Sequence, residues 1–519
     1  MLAVLWLLGL LLSLILYTVY HISIAHSRPS GAELPPGPRG LPLIGNLLQI
    51  PPKHSWLKFY EWSQQYGPLY RLSVMGRNQV IVSTEKVANG LLRERGNIYS
   101  SREQLPMAAK LMSRDLRPLL LPYGERWRRG RKLMHAMTMP SAATSYQPLQ
   151  TSESEHLLVD LLRQPDQYEF LLERYAGAVI MRLAYDKSYE GNEDDVRKAL
   201  QVVHTVERVA SPGAYLVDTF PFLMYLPDFL APFKREAKAL HQFELTFFRS
   251  MLADVRERLS VNACGPCFAR SFLERQDSWS LSMDEGAYVL GTLFEAGSGT
   301  TAAAMMSFIL AMLHHPAWQT AIQCEVDDIC GADGRLPNFA DVPQLPTVRA
   351  VIKEVLRWRP VTAGGVPHEL ERDDVYDGVF LPKGTNVHAN QWAIHRDPAL
   401  YPDPDTFNPA RWLDEKYPTY RTPLDRYPNL QNSSAFGFGR RICPGMNIAE
   451  NSLHLLTARL AWAVDVRKKP GVDVPWYNYT EGFNVQPKPF QFELIARSAD
   501  KRRIVEQTWQ QSLARGPGR

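Results

Sequence analysis

Apolar residues recur every three or four positions along most of the chain, with charged residues between them, which predicts amphipathic helices. A longer and more uniformly apolar run, from Met283 to His314, predicts a helix buried in the core. Strand-like stretches are few and short, at Leu69–Val74, Gln79–Val82 and Phe490–Ile495. The pattern therefore predicts a mainly α protein with minor β sheets.

The first twenty residues form a separate apolar segment. Leu2 to Val19 is apolar apart from Ser13 and Thr18, and a helix of that length spans roughly 27 Å, about one hydrocarbon thickness of a bilayer. A secretory signal peptide is the alternative, but no Lys or Arg precedes the apolar run. We therefore expect a transmembrane anchor at residues 1–20.

The residues after this segment predict its orientation and the domain boundaries. The nearest cations, Arg28 and Arg39, lie on its C-terminal side, so the positive-inside rule places the rest of the chain in the cytoplasm. Residues 21–52 are rich in proline, which predicts a stiff linker. Residues 53–500 contain no internal linker or repeat and predict one large domain, followed by a polar C-terminal tail at 501–519.

Composition excludes several classes of protein. Of the 519 residues, 45% are hydrophobic and 22% charged, which is typical of globular proteins and not of disordered, collagen-like or multi-span membrane proteins. With 58 Lys and Arg against 54 Asp and Glu, the net charge of +4 is too small to argue for a nucleic-acid partner. Five cysteines are too few for a disulfide framework, so we expect a reducing compartment where one thiol is free to carry chemistry.

The most specific segment runs from Phe436 to Gly445, with the sequence FGFGRRICPG. Its glycines allow the backbone to approach a flat partner and to point amide groups at the sulfur of Cys443. Arg441 can neutralise an anionic group beside this thiol, and Phe436 can shield one of its faces. A thiolate held in an apolar loop with amide donors is what a haem-thiolate iron requires. A structural cysteine in a turn is the alternative, and it does not explain the complete FxxGxRxCxG pattern.

With this motif the chain resembles the cytochrome P-450 family, and four further segments match that family in its own order. Each short motif is weak alone, because charged residues are common, but five in register over residues 127–445 are specific. The four segments are WxxxR at Trp127 and Arg131, AGSGTT at 296–301, ExxR at Glu354 and Arg357, and FNPARW at 407–412. The resemblance implies a single large cytochrome P-450-type haem domain behind an N-terminal transmembrane helix.

The resemblance also implies haem b as the cofactor, with Cys443 as the axial ligand of its iron. Burial of the two haem propionates requires cations or hydrogen-bond donors. The positions that match the family's propionate partners are Trp127, Arg131, His368, Arg441 and Arg102. The family's structural ion-pair triad matches Glu354, Arg357 and Arg411.

Thr300 is the catalytic residue that the resemblance implies above the haem, where its hydroxyl would bond dioxygen and hold a water. The family usually has Asp or Glu at position 299, where this chain has Gly. Glu295 lies four residues earlier on the same helical face and is the candidate substitute, reaching the space beside Gly299. The alternatives are a water in that space, a hydroxyl of the substrate, or a Glu295 that simply faces solvent or a neighbouring basic residue.

The implied function is a monooxygenase of the endoplasmic reticulum membrane that uses O₂ to oxidise a lipophilic small molecule. Electrons would come from NADPH through NADPH-cytochrome reductase, with cytochrome b5 as an additional donor. In its sequence the chain looks most like fungal enzymes of secondary metabolism. The pocket would be lined by residues 102–121, 215–225, 293–296, 361–366 and the surroundings of Phe483, most of which are apolar.

Two other function classes stay open. One is a haem-binding protein without turnover, which the glycine at position 299 motivates. The other is a thiol oxidoreductase built on Cys264 and Cys267, a CxxC pair that lacks a surrounding βαβ pattern and is better explained as a turn with two thiols. A basic run is either a solvated helix face or a docking surface for an acidic electron donor. It consists of Arg126, Arg128, Arg129, Arg131 and Lys132.

Overall fold

The fold is mainly helical, in agreement with the sequence pattern. The predicted anchor at residues 1–20 lies outside the part of the chain that can be described. The computed structural model describes residues 29, 31–211, 213–331, 334–420, 429–431 and 433–515.

The helices surround one long central helix, α12, which has the bounds predicted from its apolar run. In chain order the α-helices of the described residues are α1 (Ser55–Tyr66), α2 (Glu85–Ala88), α3 (Glu125–Thr138), α4 (Pro140–Ser145), α5 (Gln147–Arg163), α6 (Tyr168–Tyr185), α7 (Glu193–Val209), α8 (Leu216–Thr219), α9 (Pro232–Ser260), α10 (Phe268–Glu274), α11 (Gln276–Trp279), α12 (Met283–His314), α13 (Pro316–Cys330), α14 (Pro346–Trp358), α15 (Gln391–Ile394), α16 (Met446–Ala463) and α17 (Ala499–Arg515). Two π-helices, Asn89–Glu94 and Pro106–Met112, precede α3.

Three small sheets complete the fold. The largest has four strands in the order β1-β2-β6-β3, in which β2 and β6 are parallel and the other pairs antiparallel. The other two sheets are the antiparallel pairs β4-β5 and β7-β8. The strands are β1 (Leu69–Val74), β2 (Arg77–Val82), β3 (His368–Glu369), β4 (Asp374–Tyr376), β5 (Val379–Leu381), β6 (Asn386–Ala389), β7 (Val464–Arg467) and β8 (Glu493–Ala496).

The central helix α12 begins at a capping box. The Ser282 side chain accepts a hydrogen bond from the Glu285 amide, and the Glu285 carboxylate accepts one from the Ser282 amide. Most of the helix is buried against α6, α7, α9 and α16. Among the described helices, α12 alone is long and apolar enough to cross a membrane, and its burial inside the protein identifies it as a core helix.

Part of the predicted Pro-rich linker contacts the folded body. The amide of Arg71 in β1 donates to the Pro36 carbonyl, and Glu33 forms a bridge with Val379 in β5. Asn46 is buried and its side-chain oxygen accepts from the amide of Ser73, 2.8 Å away. An extended proline-rich backbone still offers carbonyl groups, so it can pair laterally with a strand edge.

The polar C-terminal segment predicted from residue 501 is helical up to Arg515 and packs on α5. Val505 on α17 is fully buried, and the Trp509 ring stacks on His156 with 4.4 Å between centroids. A few apolar side chains on one face are sufficient to dock a helix that is polar elsewhere.

Candidate active site

The loop before α16 holds Cys443 in a closed turn. The Cys443 amide donates to the Phe436 carbonyl, 2.9 Å away, so the two ends of the loop are joined. Gly437 and Gly439 both have positive φ. A Cβ at Gly439 would lie 2.0 Å from the Leu92 carbonyl oxygen, so only glycine allows this loop to pack on the π-helix Asn89–Glu94.

Burial and the polar groups around the sulfur of Cys443 act on its pKa in opposite directions, and burial has the larger effect. Its side chain is accessible, although the surrounding protein is dense enough that burial raises the pKa of the thiol. The Gly445 amide, the Arg131 guanidinium and the Met446 amide all lower this pKa. Because α16 begins at Met446, the positive end of the helix dipole also points towards the sulfur.

Arg441 lies two residues before this cysteine and is held by backbone carbonyls. Its Nε donates to Ser100 and its Nη2 to Leu121, each at 2.7 Å, and its guanidinium lies 4.4 Å from the centroid of the Trp127 ring. Burial and the charge of Arg102 are the main causes that lower the pKa of Arg441 to about 8.

Arg102 and His368 lie beside Arg441. Arg102 donates from Nη1 to the Val366 carbonyl at 2.8 Å, but its Nε is buried without a partner. Burial lowers the pKa of Arg102 to about 9. His368 donates Nδ1–H to the Tyr99 carbonyl at 2.6 Å, and burial together with Arg102 holds the pKa of His368 well below its ordinary value.

These groups form a surplus of positive charge, which is buried at Arg102 and half-buried at Arg131 and Arg441. None of the three guanidinium groups of Arg102, Arg131 and Arg441 makes an ion pair with a carboxylate of the described residues. Buried cations are normally paired, so this cluster calls for an anionic ligand. Haem b would offer two carboxylates to the guanidinium groups and an iron to the Cys443 sulfur. The residues present therefore fit this cofactor.

The three residues of the predicted structural triad lie together and are buried. Glu354 forms two parallel hydrogen bonds of 2.8 Å with Arg357 and accepts from Arg411 Nε at 3.3 Å. The same carboxylate accepts from Trp412 Nε1 and from the amide of Asn408. The triad thus joins α14 to the segment that leads to the cysteine loop.

Thr300 and Gly299 lie on the face of α12 that borders an interior cleft, since Ala296 is exposed in an otherwise buried stretch of this helix. The Thr300 hydroxyl donates to the Ala296 carbonyl at 3.0 Å, which leaves its oxygen free to accept. A Cβ at Gly299 would meet no atom within 4 Å, so a side chain has room there.

Glu295 does not reach this space, contrary to the arrangement expected of a substitute for residue 299. Its Oε1 accepts from Nη1 of Arg117, a residue that is fully buried. The second oxygen, Oε2, is buried and has no hydrogen-bond partner. Glu295 therefore faces a neighbouring basic residue, which was the alternative, because an unpaired Arg117 would be costly to bury.

The sequence did not predict that Arg117 pairs with Glu295, nor that it has a second partner in Glu244 of α9. Arg117 lies in an irregular loop, and its two carboxylates are 127 and 178 positions away in the chain. No local spacing links such residues, so no sequence signal could have found them.

The segments predicted to line the substrate pocket contact one another. The Thr362 hydroxyl donates to the Asn484 side chain at 3.1 Å, next to Phe483, and Asn484 donates to Glu207 on α7 at 3.1 Å. The amide of Met107 donates to Asp218 on α8 at 2.8 Å. These contacts join the segments around residues 362 and 483 to each other, and the segments around residues 107 and 218 to each other.

The two cysteines of the CxxC pair lie in the turn between α9 and α10. Both are buried free thiols with 4.0 Å between their sulfurs. The Cys267 sulfur accepts from the amide of Arg270 and thereby caps α10. Burial raises the pKa of the Cys267 thiol to about 12, so this residue is a poor nucleophile at neutral pH.

The predicted basic run forms part of α3. Arg131 turns inwards towards Cys443, whereas Arg126 and Arg129 pair with Glu285 and Arg128 pairs with Glu125. Two carboxylates thus lie among four outward-facing cations, counting Lys132, so this surface remains basic.

A mainly helical body with a cysteine thiol beside unpaired buried cations has the arrangement of the haem-thiolate proteins. A family model described as cytochrome P-450 matches residues 35–494. The chain therefore belongs to the cytochrome P-450 family, whose related members are named monooxygenases and are oxidoreductases.

Fungal relatives cover almost the whole chain. The cytochrome P-450 monooxygenase fogE of Aspergillus ruber is 36% identical over 513 residues, which cover 96% of this chain and 94% of that protein. The cytochrome P-450 monooxygenase virE of Hypocrea virens is 35% identical over 490 residues, covering 92% of this chain and 88% of that protein.

A solved structure is similar in fold. A zebra fish cytochrome P-450, determined with abiraterone, has a TM-score of 0.69 and 24% identity, and the match covers 85% of this chain and 100% of that chain. The described helices and sheets therefore have the arrangement of a solved cytochrome P-450.

Proposed function

We propose that the protein is a membrane-anchored haem-thiolate monooxygenase that oxidises a lipophilic small molecule, in the secondary metabolism of a fungus. The observation that carries this proposal is the accessible Cys443 sulfur, with its amide donors, beside the buried Arg102 and the half-buried Arg131 and Arg441, which lack carboxylate partners among the described residues. The fungal relatives support the class of reaction.

In this proposal the chain binds and orients haem b, which supplies the oxygen-activating chemistry when bound. Cys443 would bind the iron through its sulfur, and the Gly445 and Met446 amides would stabilise the negative charge of that sulfur. Arg102, Arg131 and Arg441, with Trp127 and His368, would hold the propionates. Phe436 shields the sulfur side.

The Thr300 hydroxyl would hold a proton for the reaction. Its own hydrogen bond to the Ala296 carbonyl fixes the orientation of its oxygen. The apolar side chains of α12 and of the segment after Pro360 exclude water from the substrate, which favours oxidation of the substrate over release of peroxide.

We further propose that electrons come from NADPH through a cytochrome reductase, with cytochrome b5 as a second donor. The outward face of α3, where Arg126, Arg128, Arg129 and Lys132 outnumber two carboxylates, is suited to an acidic partner. The apolar segment 2–19 would hold the enzyme in the endoplasmic reticulum membrane with this face in the cytoplasm.

The reduced, CO-bound absorption spectrum tests the ligand assignment. The wild-type protein should show the red-shifted band of a thiolate-ligated haem, and Cys443→Ser should lose it, because a neutral hydroxyl is a poor ligand for iron. Cys324→Ser is the matched control, since Cys324 is also an accessible free cysteine. A Cys443→Ser protein that keeps the band would remove this residue from the mechanism.

Turnover is tested separately. Metabolites that shift the ferric haem to high spin would be selected from a library and incubated with the enzyme, reductase and NADPH. We expect NADPH consumption with an oxygenated product, whereas a haem-binding protein without turnover would show the spin shift and no product.

A further inference from the structure

A buried ion cluster joins three separate elements next to the cleft-facing part of α12. Arg117, in the loop before α3, donates from Nη2 to Oε1 of Glu244 on α9 at 2.6 Å and from Nη1 to Glu295 on α12. All three side chains are at least 92% buried. The proposed mechanism does not use Arg117 or Glu244.

The cluster has one carboxylate more than its single guanidinium can neutralise. An uncompensated charge is costly at this depth, so one carboxyl group favours the protonated form. The two carboxyls are not equivalent. Glu244 receives a second donor, because the Tyr288 hydroxyl donates to its Oε2 at 3.3 Å, whereas Oε2 of Glu295 has no partner. The proton therefore belongs on Glu295.

The electrostatics of Glu295 agree with this assignment. Burial raises the pKa of Glu295 to about 7, with Glu244 and Glu207 raising it further and Arg117 opposing them. The group thus gains and loses a proton near neutral pH. The titratable and charged groups that face the carboxyl from the surrounding elements are Arg117, Glu244, Tyr288, Glu207 and Tyr185.

The proton on Glu295 lies one helical turn from an open space. Glu295 and Gly299 are at i and i+4 of α12, where side chains share a face and Cβ positions are about 5–6 Å apart. A Cβ at Gly299 would meet nothing within 4 Å. A neutral Glu295 holds Arg117 less strongly than the carboxylate does, so protonation frees the side chain to turn into that space.

We propose that Glu295 is a proton carrier with two positions. In the first, Arg117 binds its side chain and the nearby Glu244 carboxylate favours its protonation. In the second, Glu295 lies beside Gly299 and delivers its proton to the Thr300 hydroxyl. The O–H bond of Glu295 breaks and the Thr300 oxygen accepts that proton. At the same time the Thr300 hydroxyl turns from the Ala296 carbonyl and passes its own proton to the departing oxygen atom of the O–O bond. The Glu295 carboxylate then returns to Arg117. Solvent then protonates it again. This inference rests on the proposed monooxygenase function.

Infrared titration of the ferric holoenzyme tests the stored proton without any turnover. The carbonyl band of a protonated carboxyl group should disappear as the pH is raised, with a midpoint near pH 7. This band should be missing in Glu295→Gln at every pH. Glu244→Gln should move the midpoint to lower pH, because it removes the neighbouring negative charge. Glu173→Gln, a half-buried carboxyl on α6 outside the cluster, is the control. A spectrum unchanged by Glu295→Gln would overturn the proposal.

Cleavage of cumene hydroperoxide by the ferric holoenzyme tests delivery and needs neither the reductase nor the natural substrate. Protonation of the departing oxygen gives cumyl alcohol, whereas homolysis gives acetophenone with loss of a methyl radical. We expect Glu295→Gln to lower the ratio of alcohol to ketone at least about tenfold. Adding Gly299→Asp should restore it in part.

Different results would overturn the proposed function and the proton carrier. A wild-type protein without the thiolate-type CO spectrum would overturn the proposed function. A wild-type protein with that spectrum, but with the same ratio of alcohol to ketone in Glu295→Gln, would overturn the proton carrier and leave the monooxygenase function standing.

Discussion

At the residue scale, the cations beside Cys443 have opposite effects on the protein with and without its cofactor. Arg441 is held by three carbonyl groups and by the face of the Trp127 ring, none of which carries a full negative charge. Its neighbours Arg102 and Arg131 are cations. Such a site is unfavourable by itself and favourable around a dianionic ligand.

Replacing Arg441 with methionine should therefore change two measurements in opposite directions. Retention of haem should fall, because a charge-assisted hydrogen bond of about 1.5–3 kcal/mol to a propionate is lost. The haem-free protein should be no less stable to urea, since a buried and unpaired charge has been removed. Haem transfer to apomyoglobin and urea unfolding measure the two effects, and a loss of stability in the haem-free protein would contradict this account. Arg440→Met, at an exposed neighbouring position, is the control.

Thiol reactivity is also decided residue by residue. Cys267 is buried with a pKa raised to about 12, whereas Cys324 is exposed. We expect iodoacetamide at pH 7.5 to label Cys324 readily and Cys267 only after unfolding. Cys264→Ser with Cys267→Ser should leave the haem spectrum and turnover unchanged, since serine also caps a helix. Loss of turnover with the haem retained would favour the thiol oxidoreductase.

At the element scale, Glu354 links α14 to the segment around residue 408 that leads to the cysteine loop. It is the shared acceptor of Arg357, Arg411 and Trp412, all buried. A buried ion cluster of this kind adds little net stability compared with apolar packing, but the loss of one member leaves uncompensated charge.

Glu354→Gln should therefore lower the free energy of unfolding by about 3–5 kcal/mol. We expect the variant to accumulate mainly without haem, because the connection to the cysteine loop is weakened. Chemical denaturation and the ratio of haem to protein absorbance measure both effects. Glu450→Gln, which removes a carboxylate that accepts from the Leu430 amide, should cost less, and equal losses in the two variants would argue against a special role for the triad.

At the scale of the whole molecule, residues that precede position 53 contact β1 of the folded body. The Pro36 carbonyl and the Asn46 side chain both bond β1. A second feature is an exposed apolar surface that runs from α8 to the residues before α9, which we expect to contact a membrane. It contains Leu216, Phe222, Tyr225, Phe229 and Leu230.

Two truncations distinguish an anchor from a structural segment. Removal of residues 1–28 should shift the protein towards the soluble fraction while the haem spectrum is kept, with residual vesicle binding through the apolar surface around Phe220–Leu226. Removal of residues 1–52 should in addition destabilise the fold, because β1 loses its hydrogen-bonded neighbour. Vesicle flotation and thermal unfolding give the two readouts. Loss of the haem spectrum after removal of residues 1–28 would contradict the predicted anchor.

The sequence by itself determined the features that depend on local spacing. The apolar run from Met283 to His314 predicted α12 with its observed bounds, and the cysteine motif predicted a family that the comparisons confirm. The ExxR spacing predicted that Glu354 and Arg357 lie together, because residues three apart share one face of a helix, and the structure shows them hydrogen-bonded.

Only the tertiary structure decided which distant groups meet in the interior. Arg117, Glu244 and Glu295 come from three elements, and their pairing turns Glu295 away from the space beside Gly299. Likewise, residues 31–52 and α17 pack on the body through contacts with β1 and α5 that no local pattern indicates. The physical reason is that the charge state of a buried group depends on which partners remove it from water with it, and those partners are chosen by the packing of the whole chain.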